Sequence, residues 1–409
     1  MQRPGPSNLT RAEHTGPGSG APHHIAGTTG NVLLTRMIRG PMLRSRRRER
    51  DVPFHDRQQL IAGLERVRGS RVLTYVMSDR ASHPQVPGFG MLLDGEPFLL
   101  LVDHLRSIGR VPKLDLFLYT RGGATDAVWP LVCLLREFTD RLSVLVPFRA
   151  HSAGTMIALG ADELVLGMLS ELSPIDPTTG NQFNPADPTN PANRYGISVE
   201  DVTSYFRLAE SQAKIKDEAS RVEVFNQLTR RVHPLALGNV QRVYLQIRRL
   251  AERLLALHLD ETSDKMLIEN ITKALTEEFY SHVHSISRRE ALPLLGSWAR
   301  ATTAGEEAAM TSLFESYASE LELRVKFSLP DYMGTEPVRD LTIRGGFIDS
   351  TALSHIYQTH LRVMQRPALP PNIQVQIPPG APLPLDPWVG RQYDFGLNAS
   401  SWALNTGGI

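Results

Sequence analysis

The sequence predicts an α/β protein organised on a parallel sheet. Apolar runs of strand length alternate with stretches of helical period from about residue 71 onward. Two of these alternations, within residues 114–176, are strand, sharp turn and helix in tandem, each turn built from small residues. Lys and Arg total 44 against 43 Asp and Glu, and a single cysteine occurs, so neither a strong global field nor a disulfide framework competes with an ordinary hydrophobic core.

Residues 1–30 are rich in Gly, Pro, Ser, Thr and His and carry too little apolar surface to offset the entropy of ordering. They are followed by Arg36, Arg39, Arg44, Arg46, Arg47, Arg48 and Arg50 against the lone Glu49. A disordered basic arm over residues 1–55 is expected. It fits a membrane surface or an acidic partner, although Pro41 argues against an intact surface helix. No nucleic acid is expected. No apolar run reaches the length of a membrane span, and the N-terminus lacks the apolar core of a secretory signal, so a cytoplasmic setting is expected.

HDRQQLIAGLERVRG predicts a helix ended by Gly69, and RVLTYVMS a strand. Pro97 opens a helix through FLLLVDHL that stops at Gly109. LDLFLYT then gives a strand, so strand, helix and strand form a crossover unit. The first small-residue turn follows. Gly122-Gly123 supplies backbone freedom, and Thr125 or Asp126 is placed to cap a helix carrying Val128, Leu131, Val132, Leu135 and Phe138. Cys133 lies inside this apolar stretch and reads as a buried small hydrophobe. The second turn, HSAG, joins the strand SVLVPF to the helix TMIALGADE. It sets Ser152 at an elbow, as nucleophile or simply as helix cap. Amides exposed in such turns are aimed at an anion or a developing oxyanion. ELVLG forms a further strand, and residues 170–191 a proline-rich loop over the same rim.

TRGGATDA, RAHSAGTMIALGADE and SELSPIDP together resemble the serine dehydrogenase proteinase family of the Clp/crotonase superfamily, related to signal peptide peptidase A and the Clp proteolytic subunit. LTRRVHPLALGNVQR and YSHVHSISRREA resemble it as well, so the resemblance runs from about residue 71 to 291. It implies a Clp/crotonase-like spiral of ββα units, here with added helices and disordered termini. It also implies a serine peptidase with Ser152 as nucleophile and an oxyanion hole from the amides of Gly123 or Gly122 and of Ala153. Relatives often carry proline before the glycine pair, where this chain has Arg121. By the same resemblance the protein acts on peptides or proteins as a homo-oligomer and needs no cofactor. No ATPase motif is present in the chain.

The base is less defined. Clp-type subunits place a histidine where this chain reads SPIDP, with Asp176 and no histidine. Signal peptide peptidase A-like enzymes use a lysine instead, and Lys214 and Lys216 lie a little past its spacing, in a polar stretch that reads as helical. A base lysine must be desolvated to give up its proton near neutrality. His233, before Pro234, is the rival, with a hydrogen-bonded helix-start residue as its bland reading. His282 and His284 alternate in YSHVHS, and His151 is expected to point away from Ser152. No H-x₃-H or HExxH spacing occurs, so no metal is expected.

Residues 199–259 and DKMLIENITKALTEEF read as helices, with Val243, Ile247, Leu250, Leu254 and Leu257 on one stripe. Residues 321–331 and 340–349 read as strands. The expected layout is therefore a peptidase core with helical extension over 56–290, a C-terminal α/β appendage or core completion over 291–366, and an extended Pro-rich tail over 367–409. A crotonase-type acyl-CoA enzyme using Asp126 or Asp176, or an inactive Clp-like scaffold, are the alternative functions.

Overall fold

In the computed structural model, residues 54–84, 91–175, 178–188, 190, 193–281, 283–368 and 390–405 are described. The basic arm at 36–50, Asp176 and His282 fall outside them. Helix α1 (Phe54–Arg68) leads into β1 (Arg71–Met77), followed by α2 (Phe98–Ile108), β2 (Val111–Tyr119), α3 (Val128–Glu137) and β3 (Thr139–Val146). The chain continues through β4 (Arg149–Ala150), α4 (Ala153–Leu159), β5 (Glu163–Leu166), β6 (Glu171–Leu172), β7 (Thr178–Thr179) and β8 (Ile197–Ser198). A helical region follows: α5 (Val199–Arg207), α6 (Glu218–Thr229), α7 (Pro234–Leu255) and α8 (Lys265–Lys273). Then come β9 (Ile286–Ser287), α9 (Arg288–Leu295), β10 (Ala299–Ala301), α10 (Ala304–Glu320), α11 (Leu329–Met333), β11 (Val338–Asp349), β12 (Ser354–Ala368) and β13 (Gly390–Leu404).

The main sheet has the order β10-β5-β3-β2-β1-β11-β12-β13. Its first five strands are parallel and the last three antiparallel. Strands β2 and β3 carry the apolar stretches Leu116–Tyr119 and Val144–Val146, and Leu114–Tyr119 and Leu142–Val146 are buried throughout, as strands covered on both faces must be. Leu101 and Leu105 of α2, Leu131 and Leu135 of α3, and Met156 of α4 join one core with Leu73, Leu116 and Val144 of the sheet. Ile61 and Leu64 of α1 and Leu313 and Tyr317 of α10 join the other with Val72, Phe117 and Leu145. Crossovers α2, α3 and α4 all lie in the first core, so β1, β2, β3 and β5 advance in one direction, the winding of a Clp/crotonase-like spiral. A separate small sheet, β4-β6-β9, stands over the ends of the two tandem turns.

Several expectations change. Residues 321–331 are not a strand: Leu321 closes α10, and α11 begins at Leu329, its first turn capped by the Ser328 hydroxyl. Neither Thr125 nor Asp126 caps through its side chain; residues 125–127 instead form a 3-10 turn that α3 continues. The tail reading fails over residues 390–404, where β13 pairs along the whole of β12. Proline frequency masked this, because the prolines cluster before Gly390 and leave RQYDFGLNASSWAL free to pair. Residues 338–349 join the main sheet directly, with Thr74–Met77 of β1 facing Gly346–Asp349 of β11.

The second face holds buried ion pairs. Arg68 bonds Asp115 and Glu163, each at 2.7 Å, and also Glu306, while Arg300 reaches Glu163 at 2.7 Å and Glu306 at 2.7 Å. Burial works against the Glu163 carboxylate, but Arg68 and Arg300 outweigh it and hold its pKa down at about 2. Its folded value is thus below the roughly 4.3 of an unfolded glutamate. The stability it contributes is present above that unfolded value and is lost as pH falls through about 2. Urea midpoints measured from pH 5 to pH 2 should therefore fall more steeply for the wild type than for Glu163→Gln. Parallel slopes would show that the network adds no acid sensitivity.

Candidate active site

The two tandem turns are zipped together by their backbones. Thr120 N–H donates to the Arg149 carbonyl at 2.9 Å, and His151 N–H donates to the Thr120 carbonyl at 3.1 Å. Parallel strands with consecutive crossovers bring their C-terminal ends to one rim, so Gly122-Gly123 and Ser152 meet there. Gly122 has φ +98°, and a Cβ on it would lie 2.8 Å from both Ser152 Cβ and the His151 carbonyl. A Cβ on Gly123 would lie 2.0 Å from the Leu93 carbonyl. Leu93 clamps that turn, its N–H donating to the Gly122 carbonyl at 2.8 Å and its carbonyl accepting from Ala124 N–H at 2.7 Å. Only glycine fits either position.

Ser152 occupies the position before α4 with φ +49° and ψ −111°, a conformation that costs a non-glycine residue about 1–3 kcal/mol. Its hydroxyl makes no capping bond, so the helix-cap reading does not hold. The elbow is held from beneath: Ser152 N–H donates to Ser173 Oγ at 2.7 Å, Ser173 N–H to Thr155 Oγ1 at 3.0 Å, and Thr155 Oγ1 to the Ala150 carbonyl at 2.7 Å. Gly154 lets α4 sit against Thr120, where a Cβ would come 2.6 Å from Thr120 Cγ2. Sequence reasoning passed over Ser173, Thr155 and Thr120. Small hydroxyl residues flanking a strained turn were the available signal.

The amides sort themselves. Gly122 N–H is committed to Thr120 Oγ1 at 3.0 Å. Gly123 N–H and Ala153 N–H have no acceptor among the described residues. Chemically, a strained serine beside two unused amides can offer a nucleophile and an oxyanion site together.

Charge surrounds the elbow. Arg149 bonds Glu171 at 3.0 Å and Asp79 at 2.5 Å, and Tyr119 also donates to Asp79. His151 is buried, with Nε2 3.4 Å from Glu171 Oε2 but out of hydrogen-bonding alignment. Burial first, and then the Arg121 charge, push its pKa down to about 4.

No hydrogen bond ties a proposed base to Ser152 among the described residues. Lys214 and Lys216 are exposed. They lie in a linker between a π-helical turn (Leu208–Gln212) and α6, not in a continuous helix, because Lys214 adopts φ +59°. His233 is exposed at the start of α7, where its Nδ1 accepts from Leu235 N–H at 3.1 Å and its ring stacks on Phe183 at 4.8 Å. That bond commits the Nδ1 lone pair and sets the neutral ring's proton on Nε2, away from a base role. Phe183 also lines an open groove with Leu235, Asn239 and Arg242, a surface to which Ser152 and the glycine pair do not contribute. His284 pairs with Glu290 at 3.2 Å and stacks on Phe279 at 4.8 Å. Asp126 is exposed, and Cys133 is half-buried. No helix among the described residues is long and apolar enough to cross a membrane.

A parallel spiral sheet with a strained serine facing a glycine turn defines the Clp-like class of α/β proteins. Residues 32–201 match the family described as ClpP-like SDH-type serine proteinase. Two curated relatives come from Methanocaldococcus jannaschii. Uncharacterized protein MJ1495 is 30% identical over 156 residues, 36% of this chain and 50% of its own length. Uncharacterized protein MJ0137 is 35% identical over 85 residues, 20% of this chain and 30% of its own. The chain thus matches half or less of these relatives' length.

Proposed function

We propose that this serine proteinase relative hydrolyses peptide bonds with Ser152 as nucleophile. The carrying observation is the Ser152 conformation: φ +49°, with its hydroxyl free of the capping bond that would otherwise explain it. The hydroxyl attacks the scissile carbonyl, and a base takes its proton. Gly123 N–H and Ala153 N–H receive the oxyanion, and Gly122 serves the turn rather than the hole. The base gives that proton to the leaving amine as the C–N bond breaks and the acyl-enzyme forms; it then takes a proton from the attacking water and returns it to the Ser152 oxygen as the acid is released.

Lys216, Lys214 and His233 are the base candidates, in that order, since the Nδ1 bond of His233 counts against it. The lysines need to be desolvated at the site, by closure of the linker or by assembly. A homo-oligomer is part of the proposal. It is supported by α6, which buries none of its residues and leaves Val222 53% and Phe225 50% exposed. Removing the true base should lower peptide hydrolysis by about 10²–10⁴-fold and alter its pH profile. Comparing Lys216→Ala, Lys214→Ala and His233→Ala at matched oligomeric state identifies it. Full activity in all three would remove these candidates, and a light-scattering mass of one 45.5 kDa chain would remove the oligomer.

A further inference from the structure

Arg121 is the cation of the glycine turn, and the proposed chemistry leaves it unused. It directly precedes Gly122, where an added Cβ would lie 2.8 Å from both Ser152 Cβ and the His151 carbonyl, so Arg121 joins the turn that faces the nucleophile. Arg121 is exposed and has no ion pair or hydrogen bond among the described residues. The nearby carboxylates are already taken, since Glu171 and Asp79 are both bound by Arg149. Asp126, exposed farther along the same turn, forms no ion pair with it among the described residues. The guanidinium's reach to this rim is also felt at His151, whose protonated form it disfavours after burial. The rim therefore presents a cation with no internal partner, next to two unused amides that already favour an anion.

We propose that Arg121 sets substrate specificity: it holds a carboxylate of the bound peptide within two residues of the scissile bond. The planar fork of a guanidinium pairs two N–H groups with the two carboxylate oxygens, giving direction as well as charge. The carboxylate comes from an Asp or Glu side chain or from the peptide's own C-terminus. The inference rests on Ser152 being the nucleophile.

The test compares peptides differing only by Asp/Asn or Glu/Gln on either side of the cleaved bond, each with a free-acid and an amidated C-terminus. Labelling by a neutral fluorophosphonate reports Ser152 reactivity separately. In the wild type, the acidic member of a pair should have about tenfold higher kcat/KM, and the ratio should shrink as salt rises. Arg121→Gln should bring the ratio to one, Arg121→Glu should favour Lys at that position, and Arg121→Lys should keep part of the acidic preference. A preference confined to free-acid peptides assigns the carboxylate to the C-terminus. A preference retained on amidated peptides assigns it to the side chain. Equal rates for acidic and neutral peptides in a labelled, active wild type would overturn the role of Arg121 and leave the peptidase intact. A protein that neither labels nor cleaves any peptide would overturn both readings.

Discussion

Ser152→Ala should abolish fluorophosphonate labelling and lower peptide hydrolysis by about 10⁴-fold or more, because no other group supplies the covalent route. Ser152→Gly makes the sharper comparison. At φ +49° the serine carries backbone strain that glycine does not, so replacing it should raise stability by about 1 kcal/mol while activity disappears. A residue kept for chain geometry alone would not behave this way. Stability is read from urea midpoints, and labelling and hydrolysis from the same preparations. Labelling that survives in either variant would defeat the nucleophile assignment. A lower midpoint for Ser152→Gly would show that the hydroxyl or Cβ has a supporting contact that outweighs the strain.

The parts of the fold that were legible are those in which local pattern and tertiary demand agree. Tyr75–Met77, Leu116–Tyr119 and Val144–Val146 are buried apolar runs because the sheet is covered on both faces. The turns were legible because glycine and serine stand where the backbone turns left-handed. What escaped depends on partners distant in sequence. Residues 390–404 become a strand only because β12 offers an edge, and Asp349 is tolerated in β11 because Arg57, on α1, bonds it at 2.7 Å and the Tyr317 hydroxyl, on α10, donates to it at 2.8 Å. The cradle of Ser173 and Thr155 beneath Ser152 was likewise invisible, since nothing local ties Ser173 to an elbow 21 positions earlier. The base has the same character. Spacing named Lys214 and Lys216, but an exposed linker reaches a rim through shape or assembly rather than through spacing.

Gly123→Ala should be nearly as damaging as loss of the serine, for two separable reasons. The added methyl falls 2.0 Å from the Leu93 carbonyl and also meets its amide at 2.6 Å, both backbone atoms that cannot rotate away. Leu93 must withdraw, breaking its bonds to Gly122 and Ala124, at a cost of about 1–3 kcal/mol for the overpacking. The amide of residue 123 then turns from the rim, and loss of one oxyanion donor lowers kcat by about 10²–10³-fold. Gly122→Ala presses instead on Ser152 Cβ and the His151 carbonyl, each 2.8 Å away, so it displaces the nucleophile itself. The two variants should therefore differ in labelling: Gly122→Ala should slow it most, because the attacking oxygen moves. Gly123→Ala should depress peptide turnover more than Gly122→Ala does, relative to binding of a neutral peptide ligand. Denaturant curves establish how much folded protein each contains, and rates are compared on that fraction. If folded Gly123→Ala turns over peptide at the wild-type rate, its amide does not receive the oxyanion, and the hole must be built from Ala153 with some other donor.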